Sequence, residues 1–203
     1  VTYFSGVNGT YSSARAAFEA AHLAATAQPI SFENFEVFGA GSVVVGDMPG
    51  NPGRFAPEYA DGSAAPLPIT QAAGGLPSGS IWIINLLNGR PAGSSWVIRP
   101  DNPGDLIYAF GQSNAQGDWV RITGYDASNN VVATIEASNA GTAFAGFISD
   151  VGMSRIVVTP LGNFDLANGM DDVYVGVTHP LPAPGAAGAL ALGGVAAMRR
   201  RRR

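Results

Sequence analysis

Cysteine and lysine are absent from this sequence, and histidine occurs only twice in 203 residues. Without Cys there are no disulfides, thiolate zinc sites, iron–sulfur clusters or cysteine nucleophiles. Without Lys there is no Walker-type phosphate loop and no Schiff base, and two His are too few for a three-histidine metal centre. Charge is scarce too: 13% of residues are charged, which argues against long salt-bridged helices and coiled coils. In their place stand 27 Gly and 14 Pro, a composition rich in turns, while a hydrophobic content of 46% is too high for a disordered chain. The length suits one core with accessory ends.

Every basic residue is Arg, and five of the eleven are the last five residues, Arg199, Arg200, Arg201, Arg202 and Arg203. Residues 1–198 therefore hold six Arg against fifteen Asp and Glu, a net charge of −9. An acidic body argues against nucleic acid as a partner, because phosphate neutralisation needs cations clustered on a folded face.

One stretch, residues 12–27, reads as a helix: Ser12 or Ser13 can cap it, and Phe18, Ala21 and Ala25 fall on one stripe. With a short strand before it, this N-terminal segment (1–28) is expected to pack on the main domain. From Pro29 the pattern changes to short apolar runs between Gly, Pro, Asn and Asp, giving candidate strands at 30–32, 42–45, 80–84, 95–99 and 106–110. Residues 118–125 and 131–136 flank Asp126-Ala127-Ser128-Asn129-Asn130, a loop of turn formers that predicts a β-hairpin. Further strands fit 143–148, 155–159 and 172–178, and residues 46–79 are expected to be long loops. With no second helix to make a parallel crossover, the reading is mainly β: an antiparallel β-sandwich, jelly-roll-like, over residues 29–178.

After Thr178 come a Pro-rich spacer (179–184), an uncharged Ala/Gly/Leu/Val run to Met198 and the five arginines. Prolines end the last strand and stiffen the spacer. The 18 residues 181–198 would span about 27 Å as a helix, close to a bilayer core, and an Arg block holds the cytoplasmic end. So weakly hydrophobic a run suits a temporary membrane helix (185–203) better than a permanent anchor.

This layout resembles the PEP-CTERM sorting signal of exported bacterial proteins, which directs its carrier to a membrane exosortase. The motif here is Pro182-Ala183-Pro184-Gly185, with Ala183 where the usual signal has Glu, which implies a variant exosortase-type membrane protease as partner. The body is similar to the galactose-binding-like sandwiches that precede such tails, at Phe18-Glu19-Ala20-Ala21, Ile30-Ser31-Phe32-Glu33, Ile122-Thr123-Gly124-Tyr125-Asp126, Phe144-Ala145-Gly146-Phe147-Ile148-Ser149-Asp150 and Asp171-Asp172-Val173. The resemblance implies export, transient anchoring in the inner membrane of a Gram-negative bacterium, and release to the cell surface or exopolysaccharide matrix. A signal for export would precede Val1. In such sandwiches a structural cation often joins an early strand to the last one, which nominates Glu33 with Asp171 or Asp172 for Ca2+, a cation that takes oxygen ligands. The alternative is that the Asn, Asp and Gly around Asp171 merely make turns.

His22 on the Ala-rich helix and His179 in the linker read as surface and linker residues rather than catalytic bases. No enzyme activity is expected. The rival reading is a carbohydrate-active enzyme using two of Glu33, Glu36, Asp150, Asp171 and Asp172. Trp82 and Trp96 have apolar neighbours and read as core. Trp119 differs, because alternation places it with Arg121, Thr123 and Tyr125 opposite Val120 and Ile122. If Val120 and Ile122 point inward, Trp119, Arg121 and Tyr125 form an outer face suited to a glycan. The competing account is that the register is reversed, or that the N-terminal helix covers this face and Trp119 is part of a second core, as large aromatics are usually buried.

Overall fold

The structure, a computed structural model, describes residues 1–35, 52–59, 62–64, 69–72, 81–85, 95–114, 119–137, 142–161 and 168–179. The chain opens with β1 (Thr2–Val7) and a single 3-10 turn at Asn8–Thr10 that leads into helix α1 (Tyr11–Thr26). The Thr10 hydroxyl closes that turn, accepting from the Val7 amide at 3.0 Å, so the helix begins one residue before the two serines. It ends at Ala27, whose left-handed backbone (φ 58°) lets its amide bond the Leu23 carbonyl at 2.8 Å.

The rest is strand: β2 (Ser31–Glu33), β3 (Gly53–Glu58), β4 (Ile69–Ala72), β5 (Ile81–Asn85), β6 (Ser95–Pro100), β7 (Ile107–Asn114), β8 (Val120–Tyr125), β9 (Val131–Ala137), β10 (Ala143–Met153), β11 (Arg155–Pro160) and β12 (Asn168–Gly176). They form two antiparallel sheets. Sheet A runs β1-β10-β7-β12-β5-β4 with β2 also on β12; sheet B runs β3-β6-β11-β8-β9. Strands β3 and β4 lie inside residues 46–79, where loops were expected. The 42–45 strand, most of the spacer and the C-terminal helix lie outside the described residues. Among the described residues no helix is long and apolar enough to cross a membrane.

The two sheets face each other across one apolar core. Trp96, Ile98, Val120, Ile122, Ile156 and Val158 of sheet B meet Phe110, Ala145, Phe147, Val173 and Val175 of sheet A. Burial of this alternating set is what makes the layers adhere. On its other face sheet A carries a second cluster, in which Phe18 of α1 packs among Phe4, Phe144 and Tyr174. The molecule is thus α1, then sheet A, then sheet B.

Two glycines set how closely α1 approaches. A Cβ on Gly6 of β1 would lie 2.4 Å from the Thr10 carbonyl oxygen and 2.8 Å from the Ala14 Cβ, so the turn into the helix requires glycine there. A Cβ on Gly111 of β7 would meet the rings of Phe144 and Phe18 at 2.8 and 3.0 Å. Small residues in the sheet let aromatic rings from the helix side settle on its backbone.

Candidate functional site

The strand that alternation singled out is β8. Val120 and Ile122 are fully buried, Arg121 is exposed and Trp119, just before the strand, is 40% exposed. Helix α1 contacts β1 and β10 of sheet A, on the far side of the molecule from this face. The account in which α1 covers Trp119 is therefore corrected: small residues in sheet A, not sheet B, accept the helix.

Register arranges the outer face of sheet B in rows. Arg121 lies between Glu136 of β9 and Thr159 of β11, and its guanidinium bonds Glu136 at 2.8 Å. Thr123 lies between Thr134 and Val157. Tyr125 lies opposite Arg155, whose guanidinium carbon sits 4.4 Å from the centre of the phenol ring, a cation–π contact. Asn129 of the predicted hairpin loop accepts from Arg155 at 2.6 Å. That loop is fixed by Asp126, which accepts from the Ser128 and Asn130 amides at 2.8 Å each; the bond from the Asn130 side chain first, then these amides, hold its carboxyl below the usual range. Beside this row lies a groove of about 630 Å³, lined by Tyr59, Arg99, Tyr125, Asn129, Ser154 and Arg155 among others.

The residues nominated for a cation lie elsewhere. A bulge in β12 sets Asp171 and Asp172 together between Met170, opposite Asn114, and Val173, opposite Gln112. Asp172 is fully buried and meets Arg15 of α1 at 3.1 Å, with Tyr11 and Ser113 hydroxyls at 3.4 Å. Burial raises the Tyr11 phenol pKa, so it serves as a neutral donor. Glu33 sits on β2 opposite Val173 and accepts from the Phe35 amide at 2.6 Å; burial pushes its carboxyl up, against the lowering effect of that bond and of the Asn34 amide. Asp171 is buried as well. Among the described residues no three of His, Asp and Glu are grouped to hold one ion. Asp172 is placed as half of an ion pair, and its charge is met by a guanidinium. Asp150 is exposed on β10, away from Asp172, and Glu36 lies outside the described residues.

His22 is not the surface residue its helix suggested. It is 2% exposed, under the end of β12, and its Nδ1 lies 3.1 Å from the Gln28 carbonyl, so that nitrogen carries the proton. Its Nε2 abuts Gly176, where a Cβ would be 2.7 Å away. Burial lowers its pKa, the Gln28 bond opposing, and keeps the ring neutral. A cavity of about 370 Å³ adjoins it, with the hydroxyl residues Ser31 and Thr178 in its lining, but among the described residues no carboxylate or second His lines that space. His179 stacks edge-on against Tyr108, centroids 4.7 Å apart. Trp96 is fully buried as expected, and Trp82 lies in β5. The sorting residues Pro182, Ala183, Pro184, Gly185 and Arg199 to Arg203 lie outside the described residues.

No protein-family model matches the chain. A search of curated proteins finds no significant match either.

Proposed function

We propose that this is an exported, non-enzymatic surface or matrix protein whose β-sandwich, of jelly-roll kind, binds glycan through the outer face of sheet B. The observation that carries the binding role is the open face of β8 and β11, with Tyr125, Arg155 and Arg121 in its rows and Trp119 at its margin, and no described element laid over it. Aromatic planes stack on the apolar faces of sugars, and Arg, Asn, Ser and Thr hydrogen-bond to hydroxyls. Export and sorting rest on the order of parts in residues 181–203: a Pro motif, an apolar run and an Arg block, presented to an exosortase-type protease and removed. Calcium enters this reading as a cation with Glu33 and Asp171 as its carboxylate ligands, since Arg15 already neutralises Asp172. The midpoint of thermal unfolding in calcium against chelator measures it.

Two experiments test the proposal. Trp119→Ala and Tyr125→Ala are expected to abolish retention on polysaccharide, while Trp119→Ala costs well under the roughly 3–5 kcal/mol of a core aromatic. Retention equal to that of the native chain removes the binding role. Intact-mass analysis of surface protein from the native host is expected to show a chain ending near residues 182–185. Recovery of the arginine block on that form removes the sorting role.

A further inference from the structure

The register of sheet B places Arg54 of β3 opposite Arg99 of β6. Arg99 and Arg155 flank the paired Ile98 and Ile156, so they too stand opposite one another, and Tyr125 completes the row on β8. With strands about 4.8 Å apart, the three arginines span roughly 10 Å across the outer face. Like charges set directly opposite in a sheet are destabilising. The next row, Thr123, Val157, Val97 and Ala56, brings no carboxylate to it.

The bookkeeping of charge on this face is uneven. Arg54, Arg99, Arg121 and Arg155 stand in its rows, four of the six arginines of a body carrying −9. Among the described residues two carboxylates share those rows: Glu58 forks onto Arg99, and Glu136 bonds Arg121. A third, Asp126, is spent on its own turn. Arg155 pairs with no carboxylate among the described residues; it is held instead by a neutral amide and an aromatic ring. A guanidinium fixed in direction and left with its charge uncompensated is preorganised for an anion, and its planar fork matches a carboxylate in two hydrogen bonds.

We infer that the groove over β6, β8 and β11 takes a carboxylate-bearing polysaccharide, with Arg155 as the first anion contact and Arg99 as the second. This rests on the glycan reading above and names the class of glycan. Arg155 covers one face of the Tyr125 ring and a sugar packs on the other, while Ser154 and Asn129 line the groove within reach of hydroxyls. A long nucleic acid fits less well, because phosphates outside the patch would meet the acidic remainder of the surface.

The test is affinity electrophoresis of the full chain through polygalacturonate, neutral dextran and a single-stranded oligonucleotide, at low and at moderate salt. Polygalacturonate is expected to retard the protein at least about tenfold more strongly than dextran, with the difference shrinking as salt rises. Arg155→Gln is expected to lower polygalacturonate affinity about tenfold, Arg155→Lys to restore part of it, and Glu58→Gln, which frees Arg99, to tighten it. Equal retardation by dextran and polygalacturonate overturns the charge inference and leaves the glycan reading standing. Retardation by neither overturns both. Stronger retardation by the oligonucleotide overturns the inference in favour of a nucleic acid. Glu58→Gln keeps the question decidable if Arg155→Gln unfolds, because unchanged or weaker binding by that variant also overturns it.

Discussion

Phe18→Ala is expected to destabilise the protein by about 3–5 kcal/mol, the cost of emptying a buried aromatic site, and to lower the thermal midpoint by on the order of 10 °C. Phe18 is fully buried and holds three rings at once: Phe4 at 5.6 Å, Phe144 at 5.3 Å and Tyr174 at 5.9 Å between centroids. Each lies on a different strand of sheet A, β1, β10 and β12. The helix depends on its tertiary contacts, this one foremost among the apolar ones, because α1 has no acidic residue in its first turn, no basic residue in its last and no side-chain bond at its N-cap. Chemical denaturation measures the loss; a cost under about 1 kcal/mol would show that α1 is not held by this cluster.

Asp172→Asn is expected to cost about 3 kcal/mol, at the low end for breaking a buried ion pair because Arg15 keeps about a third of its side chain exposed. The carboxylate is fully buried and gathers Arg15, Tyr11 and Ser113 on Oδ2. Removing its charge leaves the Arg15 guanidinium with the partly exposed Glu19 as its ion-pair partner, at 3.3 Å one helical turn on. Arg15→Met alone leaves the reverse fault, a buried carboxylate without its cation. The double variant is expected to cost less than the two single ones together, by about 1–3 kcal/mol. Additivity within experimental error would show that Arg15 and Asp172 do not act as a pair.

The helix, the hairpin and the mainly β class were legible because their signals are local. An Ala-rich stripe at helical spacing gave α1, and Asp126 to Asn130 gave the turn between β8 and β9. Strand β3 was not legible, because Gly53 and Pro57 read as breakers. It lies at the edge of sheet B, where a missing amide donor is tolerated. Strand β10 was read as ending at Ile148, yet it continues to Met153 through a register shift against β7; Asp150 and Gly152 are turn formers by composition.

Site residues divide the same way. Alternation set Val120 and Ile122 on one face and Trp119 and Arg121 on the other, but which of the two faces inward appears only in the assembled sandwich, where Val120 and Ile122 are buried. Which sheet receives α1 was not legible either, since it depends on glycines far apart in sequence meeting one helix. Asp172 was singled out for its oxygens, but its partner Arg15 is 157 residues away, and no local pattern joins them. Arg155, opposite Tyr125, escaped notice for that reason also: cross-strand neighbours are set by register, and register appears only when the sheet is assembled.

The claim that the outer face of sheet B is the binding surface is tested most directly by following backbone amide chemical shifts of the full chain as short polygalacturonate fragments are added. The account predicts shifts gathered on β6, β8 and β11 and on the Asp126–Asn130 turn, with α1 and β1 unchanged. Shifts gathered on α1 and sheet A, or none at all at saturating fragment, would contradict it.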